Sequence, residues 1–566
     1  MTIAAERRAD TPAEPPVEPP RPRPDRRAVA ALALMLLGAL ALLLYLARDT
    51  TFYFDEWDWV LRRREWTVEA LLEPHNEHLS VVPVLLYKLL FSTVGIDHYW
   101  PYRLLGLTMH AFVVVGLFVY ARRRVGDVLA LAAAAIILLL GAGWNDVLWP
   151  FQTGFLASLA AGVGALLALD RGTRRGDVVA AVLLALALGS SSLGLPITVA
   201  VAVEVLGRPD RRRRWWIVVA PVALYALWWV VYGGEGDATL DNFFATPGYI
   251  LEALAGAAGA IAGLGPEWGR ILAVLGVIVL LGALRERVGM TWRLAALIAL
   301  PLLFWGITGL IRASFNEPAA SRYLYPGALF LLLVAVEAGA GMRFSRRGLA
   351  LLAVLLLGAV VSNLGEMRNG AGFMRDRAAQ VKGAVAALQL APRGLSPTFQ
   401  PEPRVAPQIR ADQYLAAVKE LGSPAPPPRE LPKLAPAARE HADDTLARMF
   451  ALQLIPGAKP GGSAPKVEFS NRAGLAPRGS CVAITAQGSG ALAELVVPKG
   501  GLLVDPGEGS AKVTLRRFAD AFADTPLGAV GGGAPAAAVR IPGDPSPVPW
   551  RAKLVLEGTV RACGVR

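Results

Sequence analysis

The stretch Phe54-Asp55-Glu56-Trp57-Asp58-Trp59 follows an uncharged apolar run, Val29 to Leu46, by a few residues. The order of these two pieces decides the fold class. The run has the length a helix needs to cross hydrocarbon. The acids come directly after it, where a chain leaving the bilayer meets water. Carboxylates at a membrane face are costly to bury and easy to avoid, so three of them between aromatic rings mark a candidate site. The plainer alternative is an acidic solvated loop, and the six residues alone weigh the two equally.

The rest of the chain tips that balance. It has 566 residues, 54% of them hydrophobic. The apolar residues recur in runs as far as Leu364 and then stop, the pattern of a polytopic membrane region followed by a water-soluble one. The net charge of +12 comes mostly from Arg. These residues cluster in short loops between apolar runs, which is a topology signal and excludes a nucleic-acid surface. Residues 1–27, rich in Pro, Arg and Glu, cannot form a core and read as a disordered cytoplasmic tail. No cleavage-site pattern follows the first run, which is expected to be a retained helix.

Topology follows from placing the basic clusters inside: Arg21/Arg23/Arg26/Arg27, Arg122–Arg124, Arg171/Arg174/Arg175, Arg208/Arg211–Arg214, Arg285/Arg287/Arg293 and Arg343/Arg346/Arg347. This gives about 11 spans, near 28–46, 101–120, 128–142, 151–169, 177–190, 193–206, 215–232, 270–284, 293–311, 323–341 and 348–364. An outer loop covers 47–100, and the C-terminus lies outside. Two apolar stretches fit less well. Residues 247–264 are expected to be a re-entrant or interfacial helix, and 79–94, with Pro83 and Lys88, a helix along the membrane. Arg62-Arg63-Arg64 falls in the outer loop against the rule and suits a basic strip meeting lipid phosphates. Trp residues at span ends suit an interfacial belt, and Trp57, Trp59 and Trp66 equally suit stacking on sugars.

From residue 366 the composition changes. Residues 366–465 read as a connecting region of short helices (375–390, 413–421, 437–452) around a Pro-rich linker. Residues 466–566 carry short strand-like runs (467–470, 481–486, 492–497, 512–518, 537–541, 553–556), expected to form a β-sandwich. The two cysteines, Cys481 and Cys563, bracket this region on the side assigned as external, and are expected to form a disulfide. By chain entropy, a loop of that length gains roughly 4–5 kcal/mol.

Opposite kinds of group fall on the outer side. Asp55, Glu56 and Asp58 are joined by Pro74-His75-Asn76-Glu77-His78 and by Asp146; Ser321-Arg322-Tyr323-Leu324-Tyr325-Pro326 opens a late span. A carboxylate can take a proton from a hydroxyl, and Arg grips phosphate bidentately. Sugar transfer from a lipid phosphate needs both. Taken singly, Arg322 is equally an interfacial anchor. His75, Glu77 and His78 bring a divalent metal ion into question without supplying a full ligand set.

Acids after the first span, a Pro-containing interfacial helix in the same loop and an Arg-Tyr-x-x-Pro element opening a late span together resemble the C superfamily of glycosyltransferases (GT-C). The Ala/Arg-rich composition and β-rich outer region are most similar to its actinobacterial cell-wall members. The resemblance spans residues 28–365. It implies a polyprenyl-phosphate sugar donor, a polysaccharide or glycolipid acceptor, transfer with inversion at the outer face of the plasma membrane, and no nucleic-acid partner. It also implies a catalytic acid at Asp55 or Glu56 and a donor-phosphate contact at Arg322 with Tyr323. His75, Asn76, Glu77, His78 and Asp146 would position substrate. Local chemistry does not separate Asp55 from Glu56; the resemblance favours the one that opens the motif. Asp58, an acid beyond the family pattern, is a third candidate for the catalytic base, and His75–His78 replaces a simpler element. A lipid-linked saccharide transporter and a non-catalytic polysaccharide-binding envelope protein are the competing classes. The absence of a clear internal repeat and the loop position of the acids count against the transporter.

Overall fold

The computed structural model describes residues 25–234, 238–285, 289–314, 317–342, 345–390 and 395–565. Most of the expected tail, and Arg287 and Arg343 of the basic clusters, lie outside these residues.

The helices are α1 (Arg26–Leu46), α2 (Glu56–Arg62), α3 (Val68–Leu72), α4 (Val81–Val94), α5 (Trp100–Val125), α6 (Asp127–Leu138), α7 (Trp144–Leu148), α8 (Thr153–Leu169), α9 (Arg174–Leu188) and α10 (Gly194–Gly207). They continue as α11 (Arg211–Arg214), α12 (Trp216–Tyr232), α13 (Leu240–Ala262), α14 (Pro266–Ala283), α15 (Trp292–Arg312), α16 (Ser321–Ala338), α17 (Arg346–Leu388), α18 (Ala411–Leu421) and α19 (Pro436–Met449). Among the described residues, eight helices are long and apolar enough to cross a membrane, or nine if a bent pair counts as one span. The chain is a multi-pass membrane protein. The difference from about 11 lies in short helices. α10 has 14 residues and α12 has 17. The expected third span stops at Leu138 and turns by 42° into Gly141–Leu148. Glycine permits this turn. A Cβ on Gly141 would lie 1.6 Å from the Asn363 carbonyl oxygen, so α17 occupies that space.

α13 corrects and sharpens the expectation for 247–264. It begins earlier and has 23 residues, enough by length to span. Its partners nevertheless lie toward one end of the bundle. Asn242 Oδ1 accepts from Ser314 N at 2.9 Å, just past the end of α15, and Thr246 meets Gly309 in the last turn of that helix. Gly256 faces Ala319 and Leu324 at the start of α16. Asn363 Nδ2 donates to Ala260 O at 3.0 Å. α13 therefore lies across the ends of α15 and α16, and α14 folds back from it.

α17 runs unbroken for 43 residues, through position 366 where composition changes. Its middle, around Ala359, Asn363, Met367 and Ala371, packs on the bundle. Its last turns, from Val381 to Leu388, enter a second apolar cluster. That cluster also takes in Phe52, Trp57, Val60, Tyr87 and Tyr102, so the loop after α1 shares a core with the C-terminal region. The expected lipid-facing strip is corrected here. Arg63 is buried and donates to the carbonyls of Glu73 (2.8 Å) and Pro74 (3.0 Å), Arg64 pairs with Glu420 at 2.9 Å, and Arg62 pairs with Asp58 at 3.1 Å.

The strands are β1 (Ile455–Pro456), β2 (Lys466–Asn471), β3 (Ala473–Arg478), β4 (Cys481–Ala486), β5 (Ala491–Val496), β6 (Gly500–Asp505), β7 (Ser510–Arg516), β8 (Gly528–Val530), β9 (Ala537–Ile541), β10 (Arg551–Glu557) and β11 (Thr559–Gly564). They form two antiparallel sheets, ordered β1-β9-β6-β11-β4-β3 and β2-β5-β10-β7-β8. Alternation decides which side is buried: Ala491, Ala493 and Leu495 of β5, and Ala552, Leu554 and Leu556 of β10, point inward. Ile484, Val504 and Val560 from the first sheet join Leu495, Val513 and Leu554 from the second in one cluster. Cys481 and Cys563 face each other across β4 and β11 and are disulfide-bonded, with Cα atoms 4.0 Å apart.

Candidate active site

The acid motif forms the first turn of α2, and helical geometry separates its members. One residue on a helix turns the side-chain direction by about 100°. Asp55 and Asp58, three apart, share a face; Glu56 does not. Glu56 is fully buried and takes four donors: Tyr87 Oη at 2.6 Å, Tyr99 Oη at 2.8 Å, Tyr53 N at 3.2 Å and Trp149 Nε1 at 3.3 Å. Burial raises its pKa to about 7, against the pull of these hydrogen bonds. It anchors α2 to α4 and α5 and stays out of the cavity described below. Of the two acids that open the motif, Asp55 lines that cavity and Glu56 does not.

Asp55 is half-buried. Its Oδ2 accepts from Asn76 Nδ2 and its Oδ1 from Gln408 Nε2, both at 3.1 Å. Burial raises its carboxyl above the ordinary range, and Asp58 adds to this; His75, the Asn76 bond and Arg322 oppose it. Asp58 pairs with His75 Nδ1 at 3.3 Å as well as with Arg62. Burial pulls Asp58 up, but His75, Arg62 and Arg63 outweigh it and hold the carboxyl below its ordinary value.

Residues 75–78 form a tight hairpin. His75 N donates to His78 O at 3.0 Å and His78 N to His75 O at 2.9 Å, with Asn76 and Glu77 at φ of 47° and 68°. Positive φ at both central residues is the geometry of a type I′ turn. Asn tolerates it; Glu does so at a cost. The turn carries the Asn76 amide onto Asp55. Phe54, directly before Asp55, is also left-handed, at φ 47°.

A cavity of about 200 Å³ opens between these elements and the bundle. Asp55, His75, Asn76, Glu77 and His78 line one part. Arg312, ending α15, and Arg322 and Tyr323, opening α16, line another. A helix N-terminus with its own Arg favours an anion. Trp59, Trp149, Phe151, Tyr225, Trp229 and Phe304 supply apolar and aromatic walls, and Ser190–Ser192 a polar patch. Burial, with the charges of Arg312, His75 and Arg322, lowers His78 to about 3, so it is a neutral imidazole. Among the described residues no group of three or more His, Cys, Asp or Glu is arranged to hold a metal ion. His75 is instead engaged by Asp58.

Asp55, the hairpin, Arg322 and Tyr323 meet in one cavity. Asp58 stands behind His75. Asp146 does not line the cavity; it is buried, its carboxylate oxygens have no hydrogen-bond partner, and it lies in the field of Arg322. Trp57 is core, whereas Trp59 lines the cavity. Arg312, Gln408 and Ser190–Ser192 were not singled out in sequence. Arg312 had a signal, as a lone cation ending an apolar run. Gln408, 353 residues from its partner, had none.

No protein-family model and no curated protein matches the chain. Solved structures do. ArnT from Cupriavidus metallidurans bound to undecaprenyl phosphate aligns at 15% identity over 66% of this chain and 82% of its own, with a TM-score of 0.43. The same protein in the apo state aligns at 14% identity over 65% and 82%, with a TM-score of 0.44. The arabinofuranosyltransferase AftD from Mycobacteria aligns at 12% identity over 95% of this chain and 61% of its own, with a TM-score of 0.34.

Proposed function

We propose that the chain transfers a sugar, pentose or hexose, from a polyprenyl-phosphate donor to a hydroxyl of a cell-envelope glycan or glycolipid. One observation carries the reading: a single cavity is lined by the Asp55 carboxylate and by the guanidinium groups of Arg312 and Arg322. Asp55 draws the proton from the acceptor hydroxyl. The hydroxyl oxygen attacks the anomeric carbon as the bond from that carbon to the phosphate oxygen breaks. The departing phosphate keeps the electron pair, and its growing charge falls to Arg312 and Arg322. Attack opposite the leaving group inverts the anomeric carbon. The aromatic walls on α12 and α15 suit the first prenyl units and the sugar faces. Tyr323 and His78, the latter neutral and therefore able to donate or accept, border the phosphate.

In this reading residues 28–365 form the transferase body, with the loop 47–100 outside. Residues 366–465 connect it to 466–566, a β-sandwich on the extracytoplasmic side of a bacterial plasma membrane, with the N-terminus in the cytoplasm. The separation of charge supports the orientation, because Arg122–Arg124, Arg208 and Arg293 sit at the far end of the bundle from the cavity. Transfer by the purified protein from polyprenyl-phosphate pentoses and hexoses, lost in Asp55→Asn while undecaprenyl phosphate still binds, is the result expected. Unchanged transfer in Asp55→Asn rejects the mechanism. Cysteines placed singly at 212 and at 408 are expected to label from opposite sides of the membrane; labelling from the same side rejects the topology.

A further inference from the structure

We infer that Gln408, delivered by the C-terminal region, is a positioning residue for Asp55. It completes, with Asn76, a pair of amide donors that grips both oxygens of the carboxylate. Gln408 Nε2 lies 3.1 Å from Asp55 Oδ1 and Asn76 Nδ2 3.1 Å from Oδ2. Only the nitrogen of each amide can face a carboxylate, so both are donors. Two donors from different segments fix the plane of the carboxylate, which then has one lone pair on each oxygen left for an acceptor hydroxyl. A bond to the ionised form also favours ionisation.

The segment bearing Gln408 is built to hold it there. Val405, Ala406 and Ile409 on either side are buried. Gln400 Nε2 donates to Pro407 O at 2.8 Å and closes the loop on itself. α19 then pins the loop. Arg448 Nη1 donates to Gln400 O at 3.0 Å, Thr445 Oγ1 to Pro401 O at 3.1 Å, and His441 Nδ1 meets Glu402 at 3.2 Å. α19 is fixed in turn to the strands, where Asp443 accepts from the backbone amides of Arg517, Phe518 and Ala519. Gln408 is thus the tip of a braced loop that reaches Asp55 at the edge of the cavity. The outer region contributes a side chain to the chemistry as well as a surface above it.

The other groups acting on Asp55 are His75 and Arg322, which favour its charge, and Asp58, which opposes it; Tyr53 also lies in its field. Removing the Gln408 donor leaves all of these in place and takes away one bond to the ionised form. Asp55 then holds its proton to higher pH.

The inference rests on the proposed base role of Asp55 for its activity readout alone, so a second readout is paired with it. In the full-length protein, the pH dependence of undecaprenyl phosphate binding is measured by tryptophan fluorescence for wild type, Asp55→Asn, Gln408→Met and Gln408→Glu. An ionised Asp55 repels the phosphate, and the inflection that Asp55→Asn removes is that of Asp55. Gln408→Met, similar in volume but without a donor, is expected to move this inflection up by about one pH unit, which is roughly tenfold in transfer rate below the inflection. Any loss of transfer that remains on the alkaline plateau, where Asp55 is ionised in both proteins, reports the lost fixing of the carboxylate plane. Gln408→Glu, isosteric and acidic, should move the inflection further in the same direction. Gln408→Met with both the inflection and the acid limb at wild-type positions overturns the inference, as does a wild-type binding curve identical to that of Asp55→Asn. Transfer at the wild-type rate in Asp55→Asn instead overturns the base role and leaves the Gln408 contact to be judged by the binding curve.

Discussion

The two ends of the helix bundle both collect charge, and they treat it in opposite ways. At the end far from the cavity, Arg293 meets Asp170 at 3.0 Å and Glu204 at 2.8 Å, and Arg124 meets Asp170 at 3.3 Å and Glu337. Tyr120 Oη adds a bond to Glu337 at 2.6 Å. Arg208 closes on Glu204, and Arg214 on Asp177 at 2.6 Å. Cations and anions there touch. At the cavity end, Asp55 is held by neutral amides, His78 is kept uncharged, and Asp146 feels Arg322 without a hydrogen bond to its oxygens. Paired buried charges fix where helices sit. Charges kept apart around a void retain their capacity for a ligand. The difference teaches that the far end is held by a network of paired charges, whereas at the cavity end the carboxylate facing the void, Asp55, is held by neutral amides and the pairing falls to Asp58 behind it.

Substitutions can break that contrast, and the largest effect is expected on chemistry. Asp55→Asn, nearly isosteric, should lower transfer about 10²–10⁴-fold, the usual share of general-base assistance, with the melting temperature little changed. Loss of fold instead of rate would move Asp55 to the architectural class. Next in size is Arg293→Ala, which leaves the buried Glu204 to Arg208 and Asp170 to Arg123 and Arg124; breaking a buried pair typically costs about 3–5 kcal/mol, and a clear fall in Tm is expected. Arg322→Ala, by contrast, should weaken undecaprenyl phosphate binding while sparing Tm. Equal Tm losses at both positions would erase the distinction between the ends. A smaller effect is expected from Cys481→Ser with Cys563→Ser. These cysteines close a loop of 82 residues, and losing such a bridge typically costs about 2–5 kcal/mol, here confined to the β-rich region. Proteolysis of residues 455–565 under reducing conditions reports it, with the bundle unaffected.

A pH-dependent effect sharpens the place of Glu56. Its pKa in the folded protein, about 7, stands above the ordinary 4.5. The folded state therefore holds the proton more tightly than the unfolded one. The stabilisation is complete below about pH 4.5 and is lost as pH rises toward 7, at up to about 1.4 kcal/mol per pH unit. Glu56→Gln should flatten Tm across that window. A wild-type Tm that climbs with pH there would show that the four donors hold the carboxylate ionised.

Much of this was legible in sequence, for identifiable reasons. Long apolar runs and Arg placement are one-dimensional signals, so the membrane body and its charged end were readable. The Asp55 motif, the 75–78 hairpin and Arg322 were visible because polar groups are rare beside hydrocarbon. What escaped depends on three-dimensional contact. Glu56 and Asp55 are adjacent in sequence and chemically alike, and only a turn of helix sends one to the core and the other to the cavity. β3, with Pro477, and β6, opening on Gly500-Gly501, lack strand propensity. β3 is an edge strand, where Pro is tolerated. Gln408 sits in an irregular loop whose composition says nothing of its destination.

The unbroken α17 has a geometric consequence. At 1.5 Å of rise per residue, 43 residues measure about 65 Å from Arg346 to Leu388. The helix is a ruler that sets how far from the bundle the C-terminal region stands, and its pitch sets which way that region faces. One residue inserted between the bundle and Val381 would lift the far end by about 1.5 Å and swing it by about 100°. Seven would lift it by about 10 Å and nearly restore its bearing, since seven residues fall about 20° short of two turns. Either insertion would carry Gln408 away from Asp55, the second in height alone.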